Sequence, residues 1–419
     1  MAAKRRSVVI TGIGPVTACG IGVDALMAGL RARRSPVAAP VAAFDSSPFR
    51  SHMAAEVGTF DPTVYLDAKQ ARRLDRFVQF SLVASKLAIE DARLDTASLD
   101  PGRVAIQMGS AMGGIAYAEI QLRSFLEGKS GHIDPRLATT TFAGAASCHV
   151  AIEYGFTGPN TTNAMSCAAG TIAVGEAARL IREGTVDVAI AGGVDAPLAP
   201  VCYGAFATMR AMSTRNDDPE TACRPFDKDR DGFVMGEGAC VLVMEEASSA
   251  RARGATIYAE LRGYGINNDA YHMAAPRPDG SRAAECMRAA IASAGLTPTD
   301  VDHVNAHASS TQLNDGTESK AIRIALGAHA DHVPVTGTKP YHGHALGASG
   351  AIEIGISALS LKHAWIPPTL NLETPGADCD LDYVTGAGRD APLKAVISNS
   401  FGFGGINAVV LATAASELD

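Results

Sequence analysis

Short apolar, β-branched runs alternate along this chain with longer stretches of helical period. The runs at 7–11, 104–108, 186–191, 240–244, 257–263, 303–306, 333–335, 396–398 and 408–412 predict strands. Apolar residues recurring every three to four positions predict helices at 71–92, 168–183, 282–294, 318–326 and 351–362. Strands that are apolar throughout, set between helices, belong in sheets buried on both faces. The pattern therefore predicts a layered α/β architecture. Each half carries a strand, a reactive-looking turn, a helix and a closing pair of apolar strands. That echo predicts a duplicated α/β unit, with halves at 1–250 and 251–419. No Gly/Ser linker or low-complexity tract separates them, so the halves are expected to share a covered boundary.

Composition narrows the class. The 419 residues are 47% hydrophobic and 19% charged, a globular composition with ample core. The net charge of −8 argues against bulk nucleic-acid binding while leaving room for a local basic patch. Eight cysteines are scattered with no C-x-x-C and no zinc-finger spacing, so no metal site is expected. Unpaired thiols in a long chain suit a reducing cytoplasm. The N-terminus enters a strand-like run directly without a signal-peptide core, and no apolar run is long enough to span a membrane.

Cys167 is the residue with most chemical promise. It lies in Asn163-Ala164-Met165-Ser166-Cys167-Ala168-Ala169-Gly170, at the mouth of a helix. Unpaired N–H groups and the positive end of the helix dipole favour thiolate there. The competing reading is a small buried apolar residue. Two histidines downstream, His307 after Asn305-Ala306 and His344 in Gly343-His344-Ala345, could complete a site. Lys339 lies close to His344 in sequence. The hydroxyls and carboxylates from Ser309 to Glu318 read either as site groups or as a polar turn capping the next helix. Ser400-Phe401-Gly402-Phe403-Gly404-Gly405 reads either as a turn packing two aromatics into the core or as a gate over an apolar cavity.

Other motifs fall away. Asp227-Lys228-Asp229-Arg230-Asp231-Gly232 resembles a calcium loop, but its twelfth position is Gly238, so it reads as a charged turn. Gly12-Ile13-Gly14 follows a strand without the third glycine of a dinucleotide fingerprint. No phosphate loop and no G-x-S-x-G elbow occurs.

Taken together, the motifs resemble the β-ketoacyl-acyl carrier protein synthases of the thiolase-like superfamily. The resemblance runs from Val8-Val9-Ile10-Thr11-Gly12-Ile13-Gly14 to Ala408-Val409-Val410-Leu411. Its specific pieces are Ser166-Cys167-Ala168, Arg224-Pro225-Phe226-Asp227, Asn305-Ala306-His307, Thr338-Lys339 with Gly343-His344, and Asn399-Ser400-Phe401-Gly402-Phe403. The chain is similar to the elongating, Cys-His-His branch and to its kin, the ketosynthase subunits of bacterial type II polyketide synthases. The resemblance implies a five-layered α-β-α-β-α thiolase-like fold. It implies decarboxylative condensation: Cys167 takes an acyl chain from carrier-protein phosphopantetheine, and His307 and His344 stabilise the enolate formed from malonyl-carrier protein. The Cys167 and Phe403 N–H groups would form the second oxyanion site. Lys339 is the matching active-site lysine, paired with Glu353, while Asp315 and Glu318 are orienting acids. Ser309 and Thr311 would hold the pantetheine arm, Met112 an acyl pocket, and Phe401 and Phe403 the gate. No tightly bound cofactor is implied.

The family docks an acidic carrier protein. Lys69, Arg72, Arg73 and Arg210 match that docking role, although a run of charge is also what a solvated helix face looks like. The assembly implied is a homodimer or a heterodimer with a chain-length factor, the inactive partner of this fold. Retention of Cys167, His307 and His344 marks this chain as the catalytic kind. It departs from the common pattern at Ser166, where alanine or glycine is usual. Ala308-Ser309 replaces Gly-Thr, and Ile406 replaces a threonine. These departures imply a specialised pathway member rather than a housekeeping fatty-acid enzyme.

Overall fold

The computed structural model describes residues 6–128 and 133–415. The extreme N-terminus, read above for targeting signals, and the final residues of the C-terminal half lie outside that range. Ten strands, numbered in chain order, carry the architecture: β1 Val8–Thr17, β2 Val104–Gly109, β3 Asn160–Asn163, β4 Val188–Asp195 and β5 Gly238–Glu246, then β6 Ala259–Asn268, β7 His303–Asn305, β8 Pro334–Thr336, β9 Ala395–Gly402 and β10 Ile406–Thr413. Six helices matter for the site: α1 Arg76–Asp91, α2 Ala145–Tyr154, α3 Ala169–Arg182, α4 Ser281–Ser293, α5 Asn314–Leu326 and α6 Ser349–His363.

Strand order shows an internal repeat. The first sheet runs β1-β5-β4-β2-β3 and the second β6-β10-β9-β7-β8, the same order advanced by five. The first two pairings in each are antiparallel and the last two parallel. The sheets join edge to edge where Val9 and Ile10 of β1 pair with Glu260 and Ala259 of β6. Helices α1 and α2 cover the outer face of the first sheet, and α4 and α5 that of the second. Between the sheets lie α3 and α6. Every residue of α6 from Ser349 to Leu361 is buried, as an all-round small and apolar sequence in a central layer requires. The result is the five-layered α-β-α-β-α arrangement.

Local chemistry explains the element boundaries. Gly12 and Gly14 let α1 lie directly on β1: a Cβ at either would sit 2.1 or 1.9 Å from the carbonyl oxygens of Ala88 and Ala84. The pair is thus a packing device. The helix expected at 71–92 is two pieces, Ala68–Ala71 and α1, because Asp75 interrupts it and caps Phe77 N–H at 3.0 Å. Lys69 therefore lies on a single turn of helix, and Arg72 and Arg73 on the link, rather than all on one long helix. The helix expected from 318 begins earlier, at Asn314, which places Asp315 and Glu318 in its first turns. Strand β3, Asn-Thr-Thr-Asn, has no apolar residue to betray it, and it sits at the edge beside β2. Helices Val23–Ala32, Ile115–Leu126, α2 and Pro200–Thr208 were also absent from the periodicity reading. Among the described residues no helix is long and apolar enough to cross a membrane.

Candidate active site

A cavity of about 490 Å³ opens between the two halves, at the ends of the strands. Cys167, His307, His344, Ser309, Thr311, Phe401, Phe403 and Arg210 all line it. Cys167 arrives there on a sharp turn: β3 ends at Asn163, Ser166 adopts φ 51°, and a 3₁₀ turn over Ser166–Ala168 runs into α3. Gly170, Gly193 and Gly347 meet one another next to this turn. A Cβ on Gly193 would lie 2.5 Å from the Gly347 oxygen and 3.0 Å from the Gly170 Cα, so α3, β4 and the His344 loop touch backbone to backbone.

The two histidines enter from loops after β7 and β8, with ring centroids 5.4 Å apart at 80°. Lys339 Nζ lies 3.4 Å from His307 Nδ1, donates to the His307 carbonyl, and pairs with Glu353 Oε1 at 2.5 Å. Lys339 and Glu353 are both wholly buried. Ser349, at the start of α6, places its hydroxyl 2.9 Å from His344 Nδ1. The two orienting acids act on backbone. Glu318 accepts from the His307 and Ala308 N–H groups at 2.8 Å each, and Asp315 from Phe226 and Ser310 N–H groups at 2.9 and 3.1 Å. Ser310 and Ala308 sit at φ 66° and 43°, so this loop is held in the left-handed region without glycine, an arrangement costing about 1–3 kcal/mol per residue. Position 308 is where glycine would relieve it.

Electrostatics corrects one expectation. Burial pushes the Cys167 thiol above its ordinary range; the Ser166 hydroxyl, the Lys339 charge and the Phe403 N–H oppose this, and Asp195 reinforces it. At rest Cys167 is a thiol, because loss of solvent outweighs the helix mouth. Both histidines are held well below the usual imidazole range, His307 by burial and then Lys339 and His344, and His344 by burial, Lys339 and His342. They are neutral at neutral pH. Glu353 is pushed up to about 7, first by burial, with Lys339 pulling the other way.

These geometries put a buried thiol and two neutral imidazoles around one cavity, with a lysine–carboxylate pair against His307, a constellation suited to thioester exchange and enolate stabilisation. Residues 5–250 match the β-ketoacyl synthase N-terminal domain and residues 258–373 its C-terminal domain. The chain belongs to the β-ketoacyl synthase family. It is thus an acyl-transferring condensing enzyme of thiolase-like fold. A Synechocystis protein named 3-oxoacyl-[acyl-carrier-protein] synthase 2 is 43% identical over 404 residues, covering 96% of this chain and 97% of that protein. The ishigamide ketosynthase/chain length factor structure superposes with a TM-score of 0.92 at 36% identity, covering 98% of this chain and 100% of that one. A type II PKS acyl-carrier protein in complex with its ketosynthase, bound to the hexaketide, gives 0.90 at 34% identity and the same coverage.

Within this synthase the remaining site candidates are distributed unevenly. Phe403 occupies the turn between β9 and β10, stacked on Phe206 with centroids 6.1 Å apart, and Phe401 lies 6.0 Å from His307. Both rings are half-buried walls of the cavity rather than core residues. Ser309 and Thr311 hydroxyls are 2.9 Å apart on the same wall. Met112 does not line this cavity; its N–H is bound by Asp195 at 2.9 Å. Arg210 stands at the mouth, while exposed Lys69, Arg72 and Arg73 lie away from it. Their neighbour Arg76 turns inward to Glu237 at 2.6 Å and is structural. Arg230 of the charged turn binds the Thr311 carbonyl at 3.1 Å and so braces the histidine loop.

Asp195 was not visible as a site residue in the sequence. Fully buried at the end of β4, it accepts from Ser110 Oγ and from the Ala111, Met112 and Gly347 N–H groups at 2.6–2.9 Å. It thereby ties the Met112 loop to the His344 loop, and burial raises its carboxyl to about 6. The only sequence signal was an acid closing an otherwise apolar strand.

Proposed function

We propose that this synthase is a 3-oxoacyl-acyl carrier protein synthase of the elongating type, with Cys167 as acyl-accepting nucleophile and His307 and His344 as the decarboxylation pair. The observation that carries this is the convergence of the three side chains on one cavity beside Lys339 and Glu353. Loading exchanges one thioester for another: the Cys167 sulfur bonds the acyl carbon, the pantetheine sulfur leaves, and the thiol proton ends on that sulfur. The cysteine is reprotonated after condensation, when the Cys167–acyl bond breaks.

Between these steps malonyl-carrier protein loses carbon dioxide. With the Lys339 ammonium beside His307 Nδ1, and the Ser349 hydroxyl assigned as donor to His344 Nδ1, each neutral ring carries its proton on Nε2. Two Nε2–H donors can then hold the enolate oxygen. The enolate carbon attacks the acyl carbonyl, whose oxygen is received by the Cys167 and Phe403 N–H groups. Glu318 and Asp315 set the loop that aims His307.

In this reading phosphopantetheine arrives on the carrier protein and rests against Ser309 and Thr311, while the Phe401–Phe403 turn shapes and gates the acyl space; Met112, outside the cavity wall, is left without the acyl-pocket role. Lys69, Arg72, Arg73 and Arg210 receive the carrier protein's acidic surface. Residues 1–250 supply the nucleophile and 251–419 the histidines. The protein works in the cytoplasm as a homodimer or beside a chain-length factor. Its pathway is fatty-acid or type II polyketide synthesis. The 43% relative named synthase 2 favours the first, and the departures at Ser166, Ala308, Ser309 and Ile406 favour the second. Intact mass spectrometry with a panel of acyl-carrier proteins and malonyl-carrier protein, with and without candidate partner subunits, tests the reading. It should show acyl-enzyme and a carrier-bound product two carbons longer. A protein that neither loads nor elongates any member would overturn it.

A further inference from the structure

Ser166 immediately precedes the nucleophile. Its φ of 51° and its N–H bond to the Ala164 carbonyl, 2.9 Å, fold the turn that raises Cys167 into the cavity. Its hydroxyl lies 3.8 Å from the Cys167 sulfur and has no other partner among the described residues. A backbone in this conformation favours glycine, and an alanine there would satisfy the same space, so the hydroxyl needs its own explanation.

We propose that Ser166 is a positioning residue for the nucleophile, its hydroxyl donating to the Cys167 sulfur and stabilising the thiolate during thioester exchange. The sulfur is in a setting that needs such help. Burial disfavours its charge, and Asp195 adds to that. Lys339 is the cation that favours it, His307 and His344 are neutral, and the other hydrogen-bond donor is the Phe403 N–H. That N–H is also the group assigned to the substrate oxyanion. When it turns to the acyl oxygen, the Ser166 hydroxyl remains on the sulfur. The serine keeps its own proton throughout; the proton of Cys167 passes to the departing pantetheine sulfur. Hydrogen bonds to an ionised partner are about twice as strong as neutral ones, so one hydroxyl is enough to matter.

The inference rests on Cys167 being the acyl acceptor, but its test does not require carrier protein. Iodoacetamide alkylation of Cys167, read at peptide level by mass spectrometry, is followed across the neutral-to-alkaline range for wild type, Ser166→Ala and Ser166→Gly. Both variants should shift the profile alkaline by about one pH unit. At a fixed pH on the rising limb both should react about threefold more slowly, since tenfold less thiolate is partly offset by greater intrinsic nucleophilicity. A purely backbone role would split the two variants, because glycine relieves the left-handed turn and alanine does not. Profiles that coincide with wild type, or that diverge between the variants, would overturn the proposal. Failure of wild type to accept any acyl group, with the alkylation shift intact, would count against the ketosynthase reading instead.

Discussion

Replacing Lys339 with methionine removes the cation from the most deeply buried ion pair among the described residues. The ammonium contacts Glu353 at 2.5 Å, the His307 carbonyl and His307 Nδ1, all without solvent. Breaking a buried pair by deleting one partner costs about 3–5 kcal/mol when the other stays charged. Glu353 can escape by taking a proton. Its folded carboxyl titrates at about 7 against an ordinary 4.5, so its contribution is complete below the lower value and is lost as pH rises through the upper one, roughly 3 kcal/mol in all. In Lys339→Met the carboxyl moves higher still, and the variant's deficit should grow between about pH 6 and about pH 9. Glu353→Gln leaves a buried ammonium instead, and its deficit should not grow over that range. The double variant carries neither charge, so its deficit should not grow with pH and it should be more stable than Lys339→Met at the higher pH. Urea midpoints of the four proteins at the two pH values measure this directly. Equal stability of Lys339→Met and the double variant at both pH values would refute the buried-pair argument.

Two further outcomes follow from the same geometry. His344→Ala should still acquire an acyl group on Cys167 but lose about a hundredfold or more in malonyl decarboxylation, the usual effect of removing one oxyanion donor, seen as carbon dioxide release; equal loss of both steps would contradict the division of labour. Arg72→Glu with Arg73→Glu should weaken carrier-protein binding roughly tenfold at low salt and less at high salt, with unchanged thermal stability, since both side chains are exposed; unchanged affinity would move the docking surface to the Arg210 side of the cavity.

The layered fold was legible because its strands are apolar on both faces, a pattern that only a doubly covered sheet explains. The repeat of strand order was audible only as a loose echo, since it resides in long-range pairings, as distant as Val8 with Glu246. Strand β3 was silent because an edge strand of Asn and Thr carries no periodicity. The break at Asp75 was hidden inside an apolar rhythm that continues on both sides of it. Reactive residues could be picked out individually, yet the acidity of Cys167 could not. A helix mouth is readable in sequence, whereas the burial that outweighs it exists only once both halves close around the thiol. Asp195 was missed for a similar reason. Its importance lies in four donors gathered from segments 85 and 152 residues away.

The proposed chemistry stands or falls with Cys167 as the acyl acceptor. Incubation of wild type and Cys167→Ala with acyl-carrier protein, followed by peptide mapping of the acylated enzyme, tests it most directly. An acyl adduct is expected on the peptide containing Cys167 in wild type, none anywhere in Cys167→Ala, and no condensation product from the variant. An adduct on one of the other seven cysteines, or condensation by Cys167→Ala at the wild-type rate, would contradict it.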